Sequence, residues 1–324
     1  MALVLTETDV HELFPMQRAL ECVEASFIQQ HSGQAVNRSR QRIFLPGISL
    51  HYMAAALPDE KLLGMKIYTV VREALRFVVL LFSAESGDLL ALIEADHLGR
   101  RRTGAASGVA TKYLARNHAC RLGMIGTGRQ ARTQLEAVAQ VRELQAVRVF
   151  SRDRTRCRQF SAEMSRELRL EVEPAGSAEA AARFGDIVVT ATSSTQPVLR
   201  GEWLRPGTHV NAIGANMTVR REIDDVALAR SSVIAVDSLE QAKEEAGDLV
   251  QGLASIPGGW DGVTELHAII GGRRSGRTSE EEITLFKSSG IALWDVAAAG
   301  FIYQQARQKG KGKELPIWEV RAAC

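Results

Sequence analysis

Apolar positions follow two different patterns along this chain, and the change falls near Cys120. From about Thr8 to Gln30, Val10, Leu13, Met16, Ala19, Leu20, Val23 and Phe27 recur at helical spacing, which predicts one amphipathic helix. The stretches RQRIFLPGISLHYMAAAL, LLGMKIYTVV and RFVVLLFSAESGDLLALIEA follow, rich in β-branched and aromatic residues and broken by turn residues. SAESGD reads as a hairpin turn between two strands. The first part is therefore expected to be a helix followed by a mostly antiparallel sheet. TGAASGVATKYLARN, from Thr103 to Asn117, is rich in alanine and other small residues and predicts a helix suited to close packing.

After Cys120 short apolar strands alternate with helices: RLGMIG, AVRVFS, DIVVTAT and THVNAIG, with a fifth at SVIAVD. That alternation implies a parallel sheet with helices on both faces. IIGGRRSGRTSEEE reads as an exposed loop, and EEEITLFKSSGIALWDVAAAGFIYQQARQKGKG as a strand or loop leading into a long helix. Neither internal repeats nor low-complexity tracts occur.

One stretch carries candidate chemistry. In LGMIGTGRQARTQLE an apolar strand ends in Gly126-Thr127-Gly128, Arg129 and Gln130 follow, and Ala131 takes the third small position as a helix opens. A structural turn is one reading; the other is a dinucleotide fingerprint, whose required context of strand and helix is met. In that second reading Gly126 permits the tight turn, Gly128 lets backbone approach a pyrophosphate, and Ala131 keeps the helix close to the sheet. The helix N-terminus then faces the anion. At the end of the second strand an NAD site carries Asp or Glu roughly 20 residues on. Here Ser151 and Arg152 stand there, which favours NADP(H), because a hydroxyl and a guanidinium bind a 2′-phosphate that a carboxylate repels. NAD(H) stays the alternative, with Asp153 turned inward. Ligands bind at the carboxyl ends of such strands, so Thr190, Ala191, Thr192, Ser193, Gly214 and Ala215 are further cofactor candidates; the serines and threonines equally suit helix caps.

Composition narrows the partners. With 324 residues the chain has room for two domains, and its 45% hydrophobic and 24% charged content is that of an ordinary globular protein. A formal net charge of +2 argues for neither a nucleic-acid nor a membrane partner. Cys22, Cys120, Cys157 and Cys324 are scattered without metal-ligand spacing and read as reduced thiols. MALVLTETDVHELF turns acidic before a long apolar region forms, unlike a signal peptide, and no run approaches a membrane span. A cytoplasmic protein without a metal is expected.

RRTGAASGVATKYLAR, MIGTGRQA, VTATSSTQPV, VNAIGAN and LFKSSGIALWDVAAA occur in the order in which they resemble the ornithine cyclodeaminase/mu-crystallin family, over nearly the whole chain. The resemblance implies an α/β fold: a Rossmann dinucleotide-binding domain, placed at residues 119–300, and an α+β substrate and dimerisation domain built from both chain ends, 1–118 and 301–324. It implies a homodimer and chemistry on small imino or amino acids. By motif the family's substrate cradle falls on Arg40 of NRSRQRIFLPG, with Arg38 and Arg42 close by, on Lys66 of LLGMKIYT and on Arg102 of RRTGAAS. FKSSG resembles the loop beside the nicotinamide, which makes Ser289 and Gly290 cofactor candidates, and Thr103 joins them at the helix start.

Apart from the family, arginines suit bidentate anchoring of an α-carboxylate. Lys66 in an apolar strand beside guanidinium groups is expected to have a depressed pKa and to serve as proton donor or acceptor. The plainer reading has it snorkel to solvent. His51 is a substrate candidate or an ordinary core or surface histidine; Trp294 and Tyr303 read as packing. Arg100 and Arg101 read as a solvated cluster at a helix start, where cations oppose the dipole and hint at a visiting anion.

The cyclodeaminases carry aspartate after GA, whereas this chain has Asn216. An amide orients a substrate but does not accept the proton that cyclodeamination releases. The expected activity is therefore NAD(P)H-dependent reduction of cyclic ketimines or pyrroline-2-carboxylate to L-amino acids, with Arg40, Lys66, Arg102 and Asn216 at the reacting centre. The alternatives are a dehydrogenase on linear substrates, alanine-like or N-substituted, a cyclodeaminase, and a non-catalytic NADPH-dependent binding protein.

Overall fold

The structure, a computed structural model, describes residues 1–72 and 74–317. Cys324, one of the four expected thiols, lies outside the described residues; Cys22, Cys120 and Cys157 are free. Among the described residues no helix is long and apolar enough to cross a membrane.

The chain opens with β1 (Ala2–Leu5), α1 (Glu7–Leu13) and α2 (Met16–His31). One helix was expected here, and Pro15 makes it two. Pro15 lacks an N–H and is extended, at φ −70° and ψ 159°, so it ends one helix and caps the next. Then come β2 (Val36–Asn37), β3 (Gln41–Leu45), β4 (Ile48–Leu57), β5 (Leu62–Val71), β6 (Ala74–Ser83) and β7 (Leu89–Glu94), with SAESGD turning the last hairpin as predicted.

The next helix, α3 (Asp96–Leu114), begins seven residues before Thr103, where the sequence pattern put its start. Its N-terminus already has an anion: Glu7 accepts the backbone N–H groups of Asp96 and His97 at 2.5 and 2.9 Å. Arg100 and Arg101 therefore lie past the first turn, beside Asp96 (3.4 Å) and His97 (3.0 Å), and the hint of a visiting anion at that spot is met by the chain's own carboxylate.

The chain divides into two compact units, 1–102 with 290–324 and 103–289. The boundaries expected at 118 and 300 differ from these for local reasons. Residues from Thr103 on are tied into the second unit: Gln134 donates to the Thr103 carbonyl, Asn211 to Thr111 Oγ1 at 2.9 Å, and Arg277 to the Leu114 carbonyl at 2.8 Å.

The second unit holds β8 (Arg121–Ile125), α4 (Ala131–Val141), β9 (Ala146–Phe150), α5 (Arg154–Leu168), β10 (Glu171–Pro174), α6 (Ala178–Phe184), β11 (Ile187–Thr190) and β12 (His209–Ala212). It continues through α7 (Asp225–Arg230), β13 (Ser231–Val236), α8 (Leu239–Glu245), α9 (Gly247–Gly252), β14 (Val263–Glu265), α10 (Leu266–Ile270) and β15 (Ile283–Lys287). Its strands form one parallel sheet in the order β10-β9-β8-β11-β12-β15-β13-β14. The five strands predicted here are present and KSSG follows a sixth, β15. The edge strands β10 and β14 carry too few apolar residues to signal themselves. Strand order reverses between β8 and β11, which makes their carboxyl ends the crevice where doubly wound sheets take ligands.

The first unit closes with α11 (Ala292–Lys309) and β16 (Lys313–Leu315). Its sheet runs β16-β1-β7-β6-β5-β4-β2 with β3 on β4, antiparallel except where β1 lies parallel to β7. Thus both chain ends share one sheet, as expected. α11 packs on α2 and on β4, β5 and β6, and Trp294 meets Phe27 edge-on at 5.4 Å. Burying a side chain of this size stabilises by about 1.5–3 kcal/mol or more.

Candidate active site

Three cations expected to anchor a substrate come together in the first unit. Arg40 precedes β3, Lys66 lies on β5 and Arg102 on α3, and they are 5%, 3% and 4% exposed. Lys66 therefore does not snorkel. Arg38 is exposed and Arg42 half-buried, so burial singles out Arg40 from its neighbours.

Their organiser is a residue that the sequence reading passed over. Asp295 on α11 is fully buried, and its Oδ1 accepts from Lys66 Nζ at 2.8 Å and from Arg102 Nε at 2.9 Å. A signal for it existed: a lone carboxylate inside the apolar run GIALWDVAAAG is rarely buried without cationic partners. Arg40 Nη2 donates to the Gly290 carbonyl at 3.1 Å. Gly290 has φ +80°, and a Cβ there would stand 2.7 Å from Arg102 Nη1. Only glycine fits both the turn and the guanidinium. Gly290, expected beside the cofactor, thus serves the cationic cluster in the first unit.

Burial pushes the Lys66 ammonium down to about 8, with Arg102 and Arg40 adding to the fall and Asp295 opposing it. Phe77 lies 5.3 Å from its Nζ, and Trp294 lies 5.6 Å from the Arg102 guanidinium. Lys66 and Arg102 share the Asp295 carboxylate with Arg40 beside them, a cationic cluster suited to a small organic anion.

Across β4 and β5, Met53 is opposite Lys66 and His51 is opposite Tyr68, which puts His51 on the Lys66 face one step along. The His51 ring stacks on Tyr68 at 4.5 Å, and its Nε2 lies 2.8 Å from Ser49 Oγ. Trp294 is core, as its spacing implied.

The second unit carries the glycine turn. Gly126 has φ +112°, and a Cβ on it would stand 2.4 Å from the Ala191 carbonyl oxygen, so the turn demands glycine. At Gly128 an added Cβ would meet nothing nearer than Ala191 O at 3.8 Å, which leaves backbone open to an approaching group. Thr127 is half-buried, and Gly128 and Arg129 are exposed. α4 starts at Ala131, itself fully buried against the sheet, and Gln130 provides no side-chain cap. Such a cradle with an uncapped helix end fits a dinucleotide pyrophosphate.

Ser151 is half-buried and Arg152 exposed just past β9. Asp153 caps α5, accepting the Arg156 N–H at 3.0 Å.

Thr190, Thr192 and Gly214 prove to be joined by Glu222, also absent from the sequence reading. Glu222 Oε2 accepts from Thr190 Oγ1 (2.9 Å) and the Gly214 N–H (2.6 Å). Its Oε1 accepts from the Thr192 N–H (2.6 Å) and Thr192 Oγ1 (2.7 Å). These hydroxyls are thus committed to shaping the loops after β11 and β12, while Ser193 is exposed. Burial raises the Glu222 pKa, and Lys287 opposes the rise. Lys287 and Asp248, both fully buried, pair at 3.0 Å, and Asp248 Oδ1 holds the Glu222 N–H at 2.6 Å. Asp237 takes the Ser289 N–H at 2.8 Å and Ser288 Oγ at 3.0 Å, which fixes the KSSG loop. Asn216 follows β12 in this unit, and Thr103 is buried at its start.

Compared with known proteins, residues 1–310 match the model of the ornithine cyclodeaminase/mu-crystallin family. A Delta(1)-pyrroline-2-carboxylate reductase of Bacillus cereus is 37% identical over 78% of this chain and 80% of its own. The structure of the Thermococcus litoralis Delta(1)-pyrroline-2-carboxylate reductase with NADH and L-proline has a TM-score of 0.92 at 35% identity, covering 97% of this chain and all of that one. An archaeal alanine dehydrogenase dimer with bound NAD has a TM-score of 0.91 at 33% identity, covering 97% and 99%.

Proposed function

Because the chain belongs to the ornithine cyclodeaminase/mu-crystallin family, we propose that it is an NAD(P)H-dependent reductase of small imino acids, of cyclic ketimine or pyrroline-2-carboxylate type. The observation that carries this reading is the buried Arg40–Lys66–Arg102 cluster around Asp295. A binder of apolar ligands has no use for three buried cations, whose desolvation costs stability.

In this reading Arg40 and Arg102 hold the α-carboxylate and neutralise it. The imine nitrogen must be protonated for its carbon to accept hydride, and Lys66, poised near neutral pH, provides or preserves that proton. The bound nicotinamide dinucleotide supplies the hydride when present, held by the Gly126–Ala131 turn. Orientation and charge neutralisation are the protein's share. Asn216 in place of aspartate supports reduction over cyclodeamination, since an amide takes no proton.

Pyrroline-2-carboxylate and its six-membered homologue, mixed with reduced dinucleotide, are the direct test. NAD(P)H oxidation without added ammonia, with the L-amino acid identified by mass, is the expected outcome. Oxidation only with a linear 2-oxo acid plus ammonia would instead make the protein an alanine-type dehydrogenase.

For the finer cofactor choice, Ser151 and Arg152 together with the helix-capping duty of Asp153 support NADPH. Arg152→Ala is expected to lower the ratio of kcat/KM for NADPH over NADH by roughly tenfold or more, the scale of one charge-assisted hydrogen bond to phosphate. Equal constants for the two cofactors in the wild type would end this preference.

The second copy expected in a homodimer has a surface to meet. Ile43, Phe44, Leu45, Ile48 and Val71 are exposed where β3, β4 and β5 end in paired register. Phe44→Asp is expected to shift the protein to monomer in sedimentation; a dimer unchanged in strength would place the interface elsewhere.

A further inference from the structure

We propose that Asp295 is a positioning residue that holds the Lys66 amine in place and keeps it charged, while fixing Arg102 beside it. This inference rests on the reading of the cluster as an imino-acid reductase site, which it deepens.

Geometry carries it. A single oxygen, Asp295 Oδ1, accepts from both Lys66 Nζ and Arg102 Nε, so a shift of this one atom moves both cations. Among the described residues Oδ2 has no hydrogen-bond partner, and the side chain is fully buried. A carboxylate kept dry with one oxygen unused is not there for its own stability; its two cations account for it. α3 comes close enough to Lys66 that a Cβ on Gly99 would stand 3.0 Å from Nζ, which leaves the amine little freedom to choose another partner.

The groups of charge facing Lys66 are Arg102 from α3, Arg40 from the chain before β3 and Asp295 from α11. The titratable Tyr68 on β5 and His51 on β4 lie one register step along. The neighbours opposite it on β4 and β6 are Met53 and Val79, which are apolar. Among the described residues, Asp295 is thus the anion acting on Lys66 against two guanidinium groups and a dry wall. All other influences push the proton off Lys66, and Asp295 alone holds it on.

The sign follows. Loss of the Asp295 charge lowers the pH at which Lys66 gives up its proton, and a reductase that needs the ammonium then fails at lower pH. Asp295→Asn is expected to move the Lys66 midpoint, read by NMR of lysine labelled with 13C and 15N, down by roughly 1–3 pH units. The falling limb of kcat/KM for the imino acid should move by the same amount, with NADPH fluorescence titration confirming that the dinucleotide still binds. Asp295→Glu retains the charge and leaves no cation uncompensated. It is expected to keep the midpoint near that of the wild type while lowering kcat, because the accepting oxygen is displaced by a methylene.

An Asp295→Asn enzyme that is slower at every pH with an unmoved limb and an unmoved Lys66 midpoint would overturn the inference. So would an Asp295→Glu enzyme with undiminished kcat. The NMR midpoint does not depend on turnover. A protein that reduces no imino acid yet shows the shift would refute the proposed activity and leave the Asp295–Lys66 linkage standing.

Discussion

Lys66→Ala is expected to lower imino-acid turnover by roughly 10²- to 10⁴-fold, the range for loss of a positioned acid–base group. The dissociation constant for the reduced dinucleotide should change little, because the Gly126–Ala131 turn expected to hold it belongs to a different unit, 103–289. The wild type carries a further signature. Lys66 is pushed down to about 8, so it is an ammonium below that pH and an amine above it. Reduction should be flat below pH 8 and decline above, whereas oxidation of the L-amino acid, which needs the free amine as base, should rise through the same region. Steady-state kinetics across pH 6 to 10 in both directions would check this. Turnover by Lys66→Ala equal to wild type on every accepted substrate would remove Lys66 from the reaction.

Asp248→Ala is expected to destabilise the second unit by about 3–5 kcal/mol, the scale for removing one partner of a buried ion pair. Asp248 and Lys287 are both fully buried and 3.0 Å apart. Without Asp248, the Lys287 ammonium keeps the Ala212 carbonyl, at 3.3 Å, and the charge of Glu222. The backbone N–H groups of Glu222 and Ile223, which Asp248 Oδ1 accepts at 2.6 and 3.0 Å, lose their acceptor as well. Calorimetry should show a fall in Tm on the order of 10 °C. Because Glu222 in turn gathers Thr190, Thr192 and Gly214, dinucleotide affinity should weaken in parallel. Asp248→Asn combined with Lys287→Met should recover part of the stability, since the amide oxygen still accepts both N–H groups and the unpaired ammonium is gone, while Glu222 loses the opposing charge of Lys287. A loss below about 1 kcal/mol for Asp248→Ala would mean that the pair carries no such burden.

How much of this was legible beforehand depended on the range of the interaction. The Gly126–Ala131 turn was readable because strand, glycines and helix are contiguous, and Gly126 answers a local steric demand while Gly128 leaves its backbone open. Pro15 splits a helix that the apolar spacing joined, since periodicity reports a buried face and says nothing of a missing N–H. The start of α3 was misplaced for a related reason. Glu7, some 90 residues away in sequence, supplies the capping carboxylate for Asp96 and His97, so no local cap signal marks that end. Arg40, Lys66 and Arg102 were named from the family resemblance; burial then separated Arg40 from Arg38 and Arg42.

By itself the sequence determined the alternation of strands and helices, the parallel sheet and its glycine turn, and the residue types able to grip a small acid. These follow from side-chain periodicity and backbone sterics acting over a few neighbouring residues. Only the tertiary structure decided which carboxylates govern the site. Asp295 meets Lys66 and Arg102 across separations of 229 and 193 residues, and Asp248 on α9 meets Lys287 at the end of β15. Buried charges are settled by whichever opposite charge the fold delivers to them, and that choice is written in three-dimensional proximity, which linear spacing does not encode.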